Sequence, residues 1–156
     1  MMTQEYFEAL KADLLTTYAA DLCEESVADI KAANNVTALI AVLDKYTAFL
    51  KYKTIPDVNW ARKWFGNHKN DAEEAGCYLD VTRVVTNPDK PITLYGNANV
   101  VLIVYEPHIF RVTTQDNSRL SIDASGVAAV NVRQKHDSDV TILHKHKTSI
   151  VKIRKV

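Results

Sequence analysis

Large apolar residues recur every ten residues from Pro91 towards the C-terminus. Written in tens, the chain reads PITLYGNANV, VLIVYEPHIF, RVTTQDNSRL, SIDASGVAAV, NVRQKHDSDV and TILHKHKTSI, followed by VKIRKV. The tenth place holds Val100, Phe110, Leu120, Val130, Val140 and Ile150, and the second holds Ile92, Leu102, Val112, Ile122, Val132 and Ile142. A fixed internal period of this kind indicates a repeated supersecondary unit.

Each ten-residue unit predicts one strand followed by one tight corner. The apolar places ten, two and four are two residues apart, which is the spacing of one buried face of a strand. Place four becomes more polar along the chain, from Leu94 to His144. Places six and seven collect residues that favour turns, among them Gly96, Asp116 and Gly126, and place eight is small in five of the six units.

Two arrangements of these strands fit the spacing. In a parallel β-solenoid, two units form one coil, so that residue i stacks on residue i+20 in the next coil. The alternative is an antiparallel β-meander that closes into a sandwich or barrel. The solenoid is favoured, because stacked coils place corners of the same composition on top of one another.

The first part of the chain has helical spacing. Apolar residues recur at three- and four-residue intervals from Gln4 to about Leu22, capped by Thr3. The same spacing runs from Val36 to Tyr52. Shorter helices are predicted over 26–33, over 58–65 after a Pro56-Asp57 start, and from Asp71 to a stop at Gly76.

The chain is therefore predicted to be an α+β protein with two segments. A helical cap segment occupies residues 1–80, and a ten-residue-repeat β domain occupies residues 81–156. Because no Pro-, Gly- or Ser-rich linker separates them, we expect one compact unit in which the helices cover the first coil.

Charge is balanced over the whole chain but not along it. The formal net charge is zero, with 19 basic and 19 acidic residues. Residues 1–89 carry a net charge of −5 and residues 90–156 a net charge of +5. Overall balance argues against a protein committed as a whole to nucleic acid or to an anionic membrane.

The expected location is cytoplasmic or virion-associated. The N-terminus lacks the pattern of a secretory signal, and the longest apolar run, Val100 to Tyr105, is far too short to span a bilayer. Cys23 and Cys77 are predicted to be buried free thiols, as in a reducing compartment.

The segment from Ile55 to Val81, IPDVNWARKWFGNHKNDAEEAGCYLDV, precedes the repeat. With the repeat, it resembles a group of short uncharacterised proteins from gut Bacteroidetes and their phages. In that group a helical segment leads through a G-x-Y-[LI]-D-like junction, here Gly76-Cys77-Tyr78-Leu79-Asp80, into N-A-x-V-x-V strands. The resemblance covers the chain from about residue 50 and implies no catalytic residues. The His- and Lys-rich last units depart from the usual Asp-Asn corners of the group.

Few residues suggest chemistry. His144 and His146 are the best metal candidates, because residues i and i+2 point the same way on a strand. No carboxylate is placed to complete the site, so a solvated basic end is the simpler interpretation. No nucleophile elbow, phosphate-binding loop or acid–base pair of carboxylates is present. We expect no catalytic residues and no cofactor.

Two surfaces are predicted instead. If units alternate between two sheets, one sheet has apolar outward residues, Val101, Ile103, Tyr105 and Leu143, which suggest an interface. The last quarter of the chain is basic, with Arg133, Lys135, Lys145, Lys147, Lys152, Arg154 and Lys155. It lacks interleaved aromatic residues, so an edge-protecting role is favoured over nucleic-acid binding.

The sequence thus favours a non-enzymatic structural or interaction protein that forms homo-oligomers. One alternative is an accessory or inhibitor protein that binds a host or virion protein, as the phage resemblance implies. A second is an enzyme with a groove between the helical cap and the β domain. The outward apolar residues would also be explained if the helices of the same chain covered them.

Overall fold

The computed structural model describes residues 1–47 and 54–156, and this part of the chain divides into two compact units, Met1–Ala75 and Gly76–Val156. The first unit is helical: α1 Gln4–Thr17, a 3-10 turn Ala19–Asp21, α2 Glu24–Ala32, α3 Val36–Thr47, α4 Val58–Phe65 and α5 Lys69–Glu74. The predicted continuation of α3 to Tyr52 lies outside the described residues.

Side-chain caps explain where several helices begin. Thr3 Oγ1 accepts a hydrogen bond from Tyr6 N (3.2 Å), and Asp57 Oδ1 accepts one from Trp60 N (2.9 Å). Both caps satisfy a backbone donor that has no partner within its helix. The predicted starts of α1 and α4 are therefore correct. The predicted start at Asp71 is wrong, because α5 begins two residues earlier, at Lys69.

A buried lysine caps the C-terminal end of α2. Lys11 on α1 is buried, and its Nζ donates hydrogen bonds to Lys31 O (3.0 Å) and Ala33 O (2.7 Å). The last carbonyls of a helix lack partners within the helix, and a cation there also favours the helix dipole. The ammonium lies 3.5 Å from Glu8 Oε1. Lys11 thereby connects α1 to the end of α2.

We expect Asp44 on α3 to make the stability of the helical unit depend on pH. Burial raises the pKa of its carboxyl from 3.8 to about 6. Since the folded state holds the proton more tightly, this contribution to stability is complete below about pH 4 and is lost as the pH rises through about 6. We expect Asp44→Asn to raise the free energy of unfolding at pH 7.5 by about 3 kcal/mol, and to change it little at pH 4.

Urea titrations at several pH values test this prediction. The fluorescence of Trp60 and Trp64, the only tryptophans of the chain, reports on the helical unit. Parallel pH profiles for the wild type and the Asp44→Asn variant would contradict the assignment.

The second unit is a parallel β-solenoid of about four turns. Its strands are β1 Cys77–Leu79, β2 Thr82–Thr86, β3 Ile92–Tyr95, β4 Asn99–Val104, β5 Ile109–Thr114, β6 Arg119–Ala124, β7 Ala129–Gln134, β8 Asp139–Lys145 and β9 Ile150–Lys155. The odd-numbered strands form one sheet (the odd sheet), in the order β1-β3-β5-β7-β9. The others form the even sheet, in the order β2-β4-β6-β8. All pairs are parallel, so the solenoid prediction is confirmed and the antiparallel meander is excluded.

The central coils have the predicted register. Val100 pairs with Leu120 and Phe110 with Val130, so residue i stacks on residue i+20. The first coil is shorter, because Thr82 pairs with Asn99, which lies 17 residues later in the chain instead of 20. Residues 77–79, which were predicted to belong to the helical segment, form β1 and pair with β3. The sheet therefore begins before the predicted boundary at residue 81.

The core of the solenoid lies between the two sheets. Its members come mainly from places two, four, eight and ten of each unit: Ile92, Leu94, Ala98, Val100, Leu102, Val104, Phe110, Val112, Leu120, Ile122, Ala124, Ala128, Val130 and Val132. Side chains from the remaining strand positions face outward, because successive residues of a strand alternate between its two faces.

Small residues at place eight close the corners. In four corners the place-eight N–H donates to the carbonyl three residues earlier, at 3.2–3.4 Å, and in the last corner Ser149, one place later, does the same at 2.9 Å. Ser118, Ser138 and Ser149 are buried there, and the Ser138 hydroxyl donates to Lys135 O at 2.6 Å. His108, which follows Pro107, is the exception at place eight. Its N–H donates to the carbonyl two residues earlier, Glu106 O, and its side chain is exposed.

Residues with left-handed backbone angles connect neighbouring coils at the corners. Gly96, Asp116 and His136 occupy equivalent places with φ values of 63°, 60° and 55°. Asp116 Oδ2 accepts a hydrogen bond from Gly96 N (2.9 Å), and His136 Nδ1 accepts one from Asp116 N (3.0 Å). Each side chain thus satisfies a corner N–H of the preceding coil, which explains the polar turn formers at these places.

One extra residue interrupts the repeat in β8. Ile122 pairs with Ile142 but Asp123 pairs with His144, which leaves Leu143 as a bulge. From there the register is i+21, so Val130 pairs with Val151 and not with Ile150. The prediction that Ile150 faces the core is therefore wrong, because its side chain is 51% exposed. The same shift explains why Lys152 interrupts the apolar second place.

Candidate interaction surfaces

The outward side chains of β2, β4, β6 and β8 form the first candidate surface, called here the even-sheet face. Its members lie in three rows across the strands: Thr82, Asn99, Arg119 and Asp139; then Val84, Val101, Ser121 and Thr141; then Thr86, Ile103, Asp123 and His144. Apolar residues are concentrated on β2 and β4, and charged residues on β6 and β8. Val84 is 66% exposed, and Val101 and Ile103 are half-buried.

The structure brings some predicted interface residues together and separates one from the rest. Val101 and Ile103 are neighbours on β4, and Tyr105 follows that strand with 55% of its side chain exposed. Leu143 is also exposed, but it lies on β8, and the polar outward side of β6 separates it from β4. The predicted apolar patch is therefore confined to β2 and β4 and their ends.

Opposite charges occupy the same strand of the even-sheet face. Arg119 and Asp123 lie two places to either side of Ser121 on β6. In the described part of the chain neither charged side chain forms a hydrogen bond or an ion pair. Sequence reasoning did not select this pair, although alternating outward places with opposite charges in one unit could have revealed it.

The second candidate surface is the coil formed by β8 and β9, residues 139–156, called here the last coil. It contains five Lys or Arg residues, Lys145, Lys147, Lys152, Arg154 and Lys155, and one acidic residue, Asp139. All five basic side chains are exposed. The structure therefore brings most of the predicted basic end together on one coil.

Two residues of the predicted basic end lie on the preceding coil. Arg133 on β7 is half-buried and is the register partner of Arg154. Lys135 is buried in the following corner, so it does not belong to an exposed basic surface. Burial, and to a smaller extent the charge of Arg133, lowers the pKa of the Lys135 ammonium.

The histidine candidates are placed differently from the prediction. His144 is an outward residue of β8, whereas His146 lies after the strand, at the start of a corner. His146 Nδ1 lies 2.7 Å from Thr148 Oγ1 and 3.3 Å from Thr148 N, which donates to it. Among the described residues, no group of three or more His, Cys, Asp or Glu side chains could hold a metal ion.

The two cysteines differ in exposure. Cys77 on β1 is buried as predicted, but Cys23 is exposed, so the prediction is wrong for this residue. Its Sγ accepts a hydrogen bond from Ser26 N at 3.4 Å and thereby caps α2. Hydrogen bonds with the side chain and then with the backbone N–H of Ser26 lower the pKa of the Cys23 thiol.

Comparisons with protein-family models, with curated proteins and with solved structures found no match to this chain. The resemblance to the Bacteroidetes and phage proteins therefore stays a prediction. None of the helices in residues 1–47 and 54–156 has the length and apolar character needed to cross a membrane.

Proposed function

We propose that this protein is a non-enzymatic interaction protein that forms a two-fold dimer by packing the even-sheet faces of two copies together. A β-solenoid is compatible with a structural or interaction role, because its stacked strands present extended, regular surfaces. The observation that carries the proposal is the arrangement of charges around Ser121 on the even-sheet face.

A two-fold axis through the Ser121 row would make the face complementary to itself. With the axis parallel to the stacking direction of the coils, each strand packs over its copy in the reverse direction. Arg119 of one copy then faces Asp123 of the other, and Asp139 faces His144. Val84 and Val101 in the middle row meet their own copies. Residue i contacts residue j and j contacts i, as a two-fold interface requires.

The size of the face sets the expected affinity. Six-residue strands are about 20 Å long, and four strands span about 15 Å between their outer axes. Counted over both copies this is about 600 Å², which is smaller than the standard size of specific protein interfaces and is typical of weak, transient association. We therefore expect a dimer that dissociates in the micromolar range, with the aliphatic contacts providing affinity and the charges fixing the orientation.

A charge-swap experiment tests this geometry. We expect Arg119→Asp alone and Asp123→Arg alone each to weaken dimerisation at least about tenfold, because each places like charges opposite one another twice in the dimer. The double variant restores both pairs with reversed polarity and should recover most of the affinity. Sedimentation equilibrium over a range of protein concentrations measures all four dissociation constants.

Two results would contradict the proposal. One is a wild-type protein that remains monomeric at every concentration. The other is a double variant no tighter than the single variants, since this would mean that Arg119 and Asp123 do not face each other. Circular dichroism of each variant verifies that the solenoid is intact.

A further inference from the structure

The core of the solenoid is left uncovered at the last coil. Val130 and Val132 are almost fully buried under β9, whereas Ile153, which stacks on Val132, is 40% exposed. On the even sheet, Ile122 is fully buried, but Ile142 above it is 43% exposed. These side chains occupy core positions, and in residues 1–47 and 54–156 no further coil covers them as the following coil covers their equivalents elsewhere.

The backbone of β9 is also open along one side. In the described chain β9 is the last strand of the odd sheet and pairs only with β7. The N–H groups of Ile150 and Val156 point towards β7, where they donate to Ala128 O and Gln134 O. Because backbone groups alternate in direction along a parallel strand, those of Val151, Ile153 and Lys155 point away from β7. These three residues can pair with an added strand.

The two edges of the last coil differ. The bulge at Leu143 interrupts β8, and bulges are a common way to protect an edge from further pairing. β9 has no such interruption, since its six residues pair with β7 in continuous register. Basic side chains also protect an edge, but Lys152 and Arg154 repel a basic strand and not an acidic one. The edge of the last coil that can still pair is therefore β9.

Charge identifies the chemistry of a strand that could be added to β9. Lys152 and Arg154 are the outward residues of β9, and Arg154 lies directly beside Arg133 on β7. Like charges in register across two strands are unfavourable. Acidic side chains on an added strand, next to Lys152 and Arg154, would offset this repulsion.

We infer that the β9 edge binds an extended acidic segment of a partner protein, in which apolar and acidic residues alternate, by strand addition. The apolar side chains of the segment cover Val151 and Ile153, and its Asp or Glu residues lie beside Lys152 and Arg154. Strand addition of this kind combines backbone hydrogen bonds with selection by alternate side chains. The inference uses a different surface from the proposed dimer and does not depend on it.

Two other occupants fit less well. A second copy related by a two-fold axis would bring Lys152 and Arg154 close to the same residues of its partner, which is repulsive. Single-stranded nucleic acid usually stacks on aromatic side chains, and residues 139–156 contain no Phe, Tyr or Trp.

Fluorescence anisotropy with labelled peptides on the intact protein tests the inference. The probe is a capped peptide of alternating valine and glutamate. We expect it to bind at least about tenfold more tightly than a peptide of alternating valine and lysine. N-methylation of alternate residues, which removes one row of backbone donors but keeps charge and side chains, should also weaken binding at least about tenfold. This comparison needs no variant of the protein.

Matched protein variants test the location. Lys152→Glu with Arg154→Glu should weaken binding of the acidic peptide at least about tenfold. Arg111→Glu with Lys147→Glu changes the net charge equally at positions outside β9, and should change the affinity less than about threefold. Equal binding of the N-methylated peptide, equal loss in both double variants, or tighter binding of single-stranded DNA than of the acidic peptide would overturn the inference.

Discussion

Leu120→Ala is expected to lower the free energy of unfolding of the β-solenoid by about 2–5 kcal/mol. Leu120 is 1% exposed and lies in the middle of the core, with Val100 beside it on β4 and Val140 on β8. Its coil is covered on both sides, so the neighbouring strands cannot collapse into the cavity without disturbing their own pairing. The cost should therefore exceed that of the same change in the exposed last coil.

The adjacent residue is the matched control. Ser121 faces outward and is half-buried, so Ser121→Ala should change the free energy of unfolding by less than about 0.5 kcal/mol. Urea titrations followed by far-UV circular dichroism compare the two variants. Small and equal effects at both positions would mean that the strand has the opposite register, since a slip of one residue exchanges the two faces.

The repeat could be predicted because the solenoid obeys two local rules in every coil. Apolar residues occupy the inward places of the strands, and polar turn formers occupy corners with left-handed backbone angles. Asp116 and His136 show why the corners are polar, since each side chain binds a backbone N–H of the coil before it. Stacking makes these contacts repeat at a constant interval, so the register of the central coils follows from the spacing alone.

The end of the repeat could not be predicted by the same reasoning. A single inserted residue, Leu143, shifts every later residue to the other face, yet the tenth place still contains an apolar residue, Ile150. A fixed ten-residue frame therefore assigned Ile150 to the core. Two signals in the sequence support the shifted frame: Lys152 in an apolar place, and Ser149 as the small corner residue one position late. Burial of Ser149 agrees with this frame.

The candidate surfaces were predicted in part. Alternation along β4 was sufficient to place Val101 and Ile103 outward. Leu143 could not be placed in the same way. Its distance from β4 depends on the order of the strands in the sheet, and its orientation depends on the bulge in β8, and neither can be seen from the pattern of one ten-residue unit. The burial of Lys135 and the pairing of Arg133 with Arg154 depend on the environment of the strands, so composition alone overestimated the basic surface.

Ile103→Asp is expected to abolish the dimer at micromolar concentration and to leave the solenoid folded. In the proposed two-fold arrangement, Ile103 of one copy faces Asn99 of the other, between the aliphatic middle row and the edge of the face. A carboxylate there would lose its hydration without gaining a cation, and a buried unpaired charge costs about 3–5 kcal/mol. Since the dimer contains the substitution twice, its dissociation constant should rise at least about a hundredfold.

Asn131→Asp is the matched control for this variant. It adds the same charge to a middle strand of the solenoid, on the outward side of the odd sheet, where Asn131 is exposed between Arg111 and Lys152. Sedimentation equilibrium should show an unchanged dimer for Asn131→Asp and a monomer for Ile103→Asp, with equal circular dichroism spectra. If Ile103→Asp unfolds the protein while Asn131→Asp does not, Ile103 is covered within a single chain and the even-sheet face is not the dimer interface.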